Sequence, residues 1–377
     1  MRLLPFVAVL ILGLCPSLCV PCLFAGGMRT FGPDPQLYQA TVGRAIGFLT
    51  KQQSQDGSLS SQIGIGPTAI ATLGMLRSGR SADDPQVAKS LKYLEEYVQE
   101  NGGIYTPGGS ITTYETCIVI VCFQEANRDH RYDKIIRSAE KFIRGGQWEE
   151  KRGKDKSDPA YGGVGYGAKS KNPDLSNTAF LVDALKAAGN GPEDEAMKRA
   201  LVFVSRCQNL ESEHNNTPNA AKVNDGGFYY NPTLSRQDED RQAANGGLRS
   251  YGSMTYSGLK SMIYAGLTKD DPRVKAAVQW IQKNYDVKSN PGLGDAGLFY
   301  YYLTFAKTLD ALGLDEVEDA KSVRHDWRRE LTEELARRQK ENGSWVNTND
   351  RWMEGDANLA TAFGLLALSY CSPHAAK

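Results

Sequence analysis

Acids and tyrosines recur in this chain where polar sequence gives way to apolar sequence. Asp174, Asp295 and Asp356 each sit at or just ahead of such a boundary, and Tyr251 stands at another. A carboxyl group there serves one of two ends. Kept protonated by its surroundings it donates a proton, and ionised it accepts backbone N–H bonds at the start of a helix. These four residues are the catalytic candidates. Around them lie Tyr105, Tyr114 and Glu115, then Tyr161 and Tyr166, then Tyr230, Tyr256, Tyr300 and Trp352. Aromatic rings with a few polar groups make up a typical concave ligand site, so these residues, with Tyr251, are the ligand-binding candidates. The competing reading of each tyrosine is a packed ring whose hydroxyl finds a partner.

Metal chemistry finds no support, and no cofactor is expected. His130, His214, His325 and His374 all lie outside the apolar segments. Cys117, Cys122, Cys207 and Cys371 fall inside helical patterns without Cys-x-x-Cys spacing, where a cysteine serves as a small buried hydrophobe.

The elements that must position these groups form a repeat. Each copy has a helix with a basic or small start and an aromatic one turn on, then often a glutamine, a glycine turn and a more apolar helix. The clearest copies are Arg44-Ala45, Phe48-Leu49, Gln53, Asp56-Gly57-Ser58 and, near the other end, Leu335, Gln339, Gly343-Ser344-Trp345. Intermediate copies centre on Tyr93-Leu94, Phe142-Ile143 with Gln147, Phe203-Val204 with Gln208, and Trp280-Ile281, where Tyr285 takes the glutamine slot. The apolar spacing is helical. The second helices are expected at 68–76, 112–125, 176–188, 253–265, 295–312 and 356–370, and their few charges beyond the first turn predict burial on most sides. Six stacked hairpins of this kind predict an all-α ring, an alpha/alpha toroid with inner and outer helices.

Lys+Arg and Asp+Glu both number 44 in the 377 residues, so no net field draws nucleic acid or an anionic membrane. Residues 1–27 read as an export signal, with Arg2 ahead of a short apolar run; the expectation is an exported protein whose domain spans 28–377. That run falls short of the roughly 20 apolar residues of a stable membrane span. Cys15, Cys19 and Cys22 each follow a large residue or proline, which disfavours a lipid anchor. Two stretches, 149–173 and 209–249, break the repeat with polar, glycine-rich sequence that still carries tyrosines. Loops of such length are commonly functional, and they are where a protein partner is expected.

The repeat, most fully in Gly343-Ser344-Trp345, resembles that shared by squalene cyclases and protein prenyltransferases. The resemblance implies a toroid with an aromatic-lined cavity that holds an apolar, isoprenoid-like molecule. It also implies catalytic groups that this chain lacks. The cyclases' Asp-x-Asp-Asp-Thr-Ala motif aligns with Asp174-Leu175-Ser176-Asn177-Thr178-Ala179, where Ser176 and Asn177 replace two acids. The prenyltransferases' zinc cysteine falls on Gly297, after Asp295-Ala296. Two alternatives to an apolar-ligand toroid follow. One is a carbohydrate-active toroid that uses a tyrosine base beside an arginine, for which Arg249-Ser250-Tyr251 and Arg351-Trp352 are the candidate pairs. The other is a non-catalytic scaffold that binds protein through its loops, which a side-chain-filled centre would favour.

Overall fold

The computed structural model describes residues 30–215, 217–233 and 242–375; the segment read as an export signal lies outside them. Outer helices α1 (Pro35–Gln52), α3 (Pro85–Glu95), α5 (Asp133–Gly145), α7 (Glu195–Arg206), α10 (Pro272–Lys283) and α12 (Trp327–Arg338) alternate with inner ones. The inner helices are α2 (Gly66–Arg77), α4 (Thr112–Ala126), α6 (Leu175–Ala187), α9 (Gly252–Tyr264), α11 (Leu298–Ala311) and α13 (Ala357–Leu368). A one-turn helix, α8 (Ala220–Val223), lies in the second long loop.

Local chemistry fixes where the outer helices begin. Asp34, Asp84, Asp194, Asp271 and Asp326 are N-caps whose carboxylates accept backbone N–H bonds of the first turn. After Asp34, Asp84 and Asp271 comes a proline, whose missing N–H is no loss there.

Each inner helix packs on the next: α2 on α4, α4 on α6, α6 on α9, α9 on α11, α11 on α13, and α13 back on α2. The inner ring therefore closes. Each outer helix lies against the inner helix of the preceding repeat, with α1 against α13 across the seam. The core is the layer between the rings. Phe48, Leu49, Tyr93, Leu94, Phe203, Trp280 and Leu335, the aromatic and aliphatic positions of the repeat, are all buried there. At the seam, β1 (Thr30–Phe31) pairs antiparallel with β4 (His374–Ala375), while β2 (Val317–Glu318) and β3 (Arg324–His325) form a small hairpin before α12.

The repeat glutamine joins neighbouring hairpins. Gln147 Nε2 donates to Gly162 O of its own turn at 2.8 Å and to Ala196 O, in the first turn of the next outer helix, at 2.9 Å. Gln208 does the same with Gly226 and Arg273, at 2.9 and 2.8 Å. Across the seam Gln339 reaches Gly343 O and Thr41 O, each at 3.0 Å. In the fifth repeat the Tyr285 hydroxyl makes the equivalent tie, to Glu330 of α12 at 2.9 Å.

Candidate functional site

The N-terminal ends of the inner helices share one end of the ring, and this mouth holds most of the candidates. Asp174, Glu115, Asp356 and Glu354 are committed there to backbone N–H groups. Asp174 caps α6, accepting from Asn177 N and Asn177 Nδ2, each at 2.8 Å, and burial pushes its carboxyl up to about 6. Glu115 is fully buried and ties two turns together, accepting from Ile65 N and Thr106 N at 2.9 Å each. Asp356 caps α13 and accepts from Ser60 Oγ at 2.8 Å. Asp295 departs from its expected place in a helix: α11 starts at Leu298, and Asp295 is exposed on the preceding turn. Glu354 takes over the capping role instead, accepting from Tyr300 N at 2.8 Å and Phe299 N at 3.1 Å. The reason is backbone geometry, since Gly297 turns the chain at φ 64° and breaks the helix that would have included Asp295.

The two long loops roof this end. The Tyr166 carbonyl accepts from Thr113 N, in the first turn of α4, at 2.8 Å, and the Tyr230 carbonyl from Leu175 N, in that of α6, at 2.8 Å. The Tyr230 side chain is half-buried and bonds Asp174. Tyr161 is buried, with its hydroxyl on Glu150. Tyr105 lies on the outer rim against Phe142, with ring centroids 5.5 Å apart. Tyr251 is buried at the start of α9 while Arg249 is exposed. Arg351 and Trp352 do stack, guanidinium over ring at 4.6 Å, and Trp352 remains 43% exposed. Tyr256 does not face the mouth: it packs between the rings against Tyr301 and Phe305.

Two candidates reach the centre. Tyr114 packs edge-on against Phe180 at 5.1 Å, and Phe180 lies 6.0 Å from Tyr300, which lies 5.9 Å from Phe363. Tyr300 hydrogen-bonds Ser176 Oγ at 3.0 Å and Ser257 Oγ at 3.4 Å. Ser176, standing where the resemblance would put an acid, thus meets the ring axis as a neutral hydroxyl. These side chains close the channel to a cavity of about 40 Å³. That is room for a few water molecules, against the roughly 300–1,000 Å³ of a small-molecule site.

Beyond the aromatic layer lies a group that the candidate residues do not include. Asp183 of α6 takes Lys260 Nζ of α9 on one oxygen at 2.5 Å and Lys307 Nζ of α11 on the other at 2.6 Å. Burial pushes the Asp183 carboxyl up, but the two lysines more than offset it and hold it below the usual range. Burial pulls both ammonium groups down, Lys260 to about 8, with Asp183 only partly compensating. Their signal in the sequence is depth. Counted from helix starts at 175, 252 and 298, Asp183 and Lys260 are ninth residues and Lys307 is a tenth, charges at one level of largely apolar helices.

Residues 65–236 match the squalene-hopene cyclase C-terminal domain family. No curated protein matches the chain in sequence. Among solved structures, the type II terpene cyclase MstE from Scytonema is similar, with TM-score 0.54 and 12% identity over 89% of this chain and 98% of that one. A variant of that cyclase in complex with its substrate, geranylgeranyl dihydroxybenzoate, gives TM-score 0.53 at 11% identity, over 89% and 97%. A glycoside hydrolase family 76 mannosidase from Bacteroides thetaiotaomicron also aligns, at TM-score 0.50 and 11% identity over 88% and 97%. Identities this low speak for the fold alone. With a closed inner ring, glutamine ties between hairpins and the family match over residues 65–236, the chain is a squalene-cyclase-like alpha/alpha toroid.

Proposed function

We propose that this protein is a non-cyclising binding toroid, exported from the cytoplasm, that engages its partner at the mouth-end rim and the loops 149–173 and 209–249. The observation that carries this reading is the filled centre. A cavity of about 40 Å³ bounded by Phe180, Tyr300 and Phe363 leaves no volume for an isoprenoid chain. The chemistry agrees. Ser176 and Asn177 supply no acid, and Asp174 is spent on capping α6. Apolar ligand binding in the centre, the property that the cyclase likeness suggests, would require this aromatic layer to part.

The test is titration of the purified protein with squalene and with geranylgeraniol, followed by extraction and mass analysis. We expect no cyclised product and no saturable binding. Turnover, or saturable binding that Ser257→Trp abolishes by filling the centre, would return the function to the ring axis.

A further inference from the structure

A second cavity, about 510 Å³ in volume, opens on the outer rim between the second and third repeats. It exists because of an insertion. From glutamine to the glycine it bonds takes 4 residues in the first repeat, Gln53 to Gly57, but 15 in the third, Gln147 to Gly162. The inserted chain swings Arg152, in the short helical turn Glu150–Arg152, to one edge of the groove, and Ala168 forms another. The opposite wall is the second repeat's turn, Glu100 to Gly102, and the floor is the exposed end of α5 with Phe142 and Gly145.

The lining has the chemistry of a sugar site. Phe142 presents an apolar ring, backed by Tyr105, of the kind on which a pyranose lays its C–H face. Thr113 and Ser138 hydroxyls and the Asn101 amide add polar atoms to the lining. Gly145 and Gly146 leave the backbone open, and a Cβ built on Gly145 meets nothing within 4 Å. Lys141 and Arg152 face one acid, Glu100, a net charge of +1 (two cations less one anion) within a chain whose total is +0. Arg152 spends one N–H on Gly146 O at 2.7 Å, out of the five that a guanidinium carries. The volume lies in the range of ligand sites, whereas the central cavity does not.

We propose that this rim groove binds an acidic oligosaccharide, with a sugar ring on Phe142 and a carboxylate or sulfate between Lys141 and Arg152. The proposal rests on the reading that binding occurs at the rim, and it names the class of ligand.

The full-length protein would be titrated calorimetrically with oligogalacturonate, with sulfated dextran oligosaccharides and with neutral dextran oligosaccharides. Saturable binding of one acidic series, and not of the neutral one, is expected; which series binds identifies the anionic group. Gly145→Trp, which fills the groove without a backbone clash, should weaken that binding about tenfold or more, as should Arg152→Glu, at unchanged melting temperature. Val323→Ser, on the exposed β2–β3 hairpin and outside the groove lining, should leave it unchanged. No binding in any series, equal binding of neutral sugars, or indifference to Gly145→Trp would each overturn the proposal. None of these outcomes touches the expectation that squalene and geranylgeraniol do not bind, so the two readings fail separately.

Discussion

Asp183 holds two lysines at a depth where water gives little help, and this asymmetry governs what substitution does. Removing the carboxylate leaves two buried cations without a counter-charge, whereas removing one lysine leaves a balanced pair. Asp183→Asn is therefore expected to cost about 3–5 kcal/mol in urea unfolding, and Lys260→Met markedly less. The pH dependence separates the two further. Lys260 titrates near 8 in the folded chain and at its ordinary 10.5 when unfolded. Below pH 8 both states are protonated and the burial penalty is present in full. Between pH 8 and 10.5 the unfolded state binds more protons, so folded stability attributable to this residue rises with pH. The stability of the wild type relative to Lys260→Met should climb across that window by something on the order of 2–3 kcal/mol. A flat difference would mean that Lys260 is not desolvated. None of these three residues is among the sequence-derived candidates, because attention to helix starts passes over charges set two turns inside. The helix starts themselves read partly true: Asp174 and Asp356 do cap, whereas Asp295 lies outside its helix because Gly297 adopts a positive φ, which sequence alone does not declare.

Between elements, the repeat is a docking device whose parts explain one another. Gly57, Gly162, Gly226 and Gly343 all have positive φ, and a Cβ on each would fall within 2.5 Å of a carbonyl oxygen in the next outer helix, at Lys89, Arg199, Ala276 and Arg44. The turn thus presses directly on helix backbone, which is why the residue at or beside that point is small: Ser90, Ala200, Ala276 and Ala45 are buried or nearly so. This logic was legible in sequence as a basic-small pair and an aromatic one turn on, followed by a glycine turn at variable distance, and the inner helices fall within about three residues of their expected limits. The filling of the centre was not legible, because it depends on how Phe180, Tyr300 and Phe363 on three separate helices turn toward one axis. Gly162→Ala would place its Cβ 1.8 Å from Arg199 O at φ +87°, so separation of α7 and a loss of several kcal/mol are expected. Gly145→Ala, at the end of α5 with open space around its Cβ, should instead be neutral or stabilise by about 0.5–1 kcal/mol. Similar unfolding midpoints for the two variants would refute the docking account.

For the whole molecule, closure distinguishes this ring from an open solenoid. In an open array the terminal repeats have one neighbour and need polar caps, and stability sums over interfaces. Here α13 packs on both α2 and α1, Gln339 reaches Thr41, and β1 pairs with β4, so the first and last hairpins meet like any other pair. If closure is what holds the ring, the point at which the chain is cut should matter little, provided that all six hairpins remain. A circular permutant tests this. Thr30 and Ala375 are direct partners in an antiparallel pair, so a few Gly-Ser residues suffice to join them. New termini between Ser81 and Ala82 fall in the exposed link between α2 and α3. This permutant is expected to keep the helical spectrum and a single unfolding transition, within about 1–2 kcal/mol of the parent. Deleting residues 326–375 instead removes the sixth hairpin and strips α1, α2 and α11 of their partners across the gap. That variant should lose cooperative unfolding and bind a hydrophobic dye, because five hairpins leave two core faces exposed to water. A five-hairpin chain that unfolds as sharply as the permutant would show that neighbouring pairs suffice, and that the seam contributes no more than one interface among six.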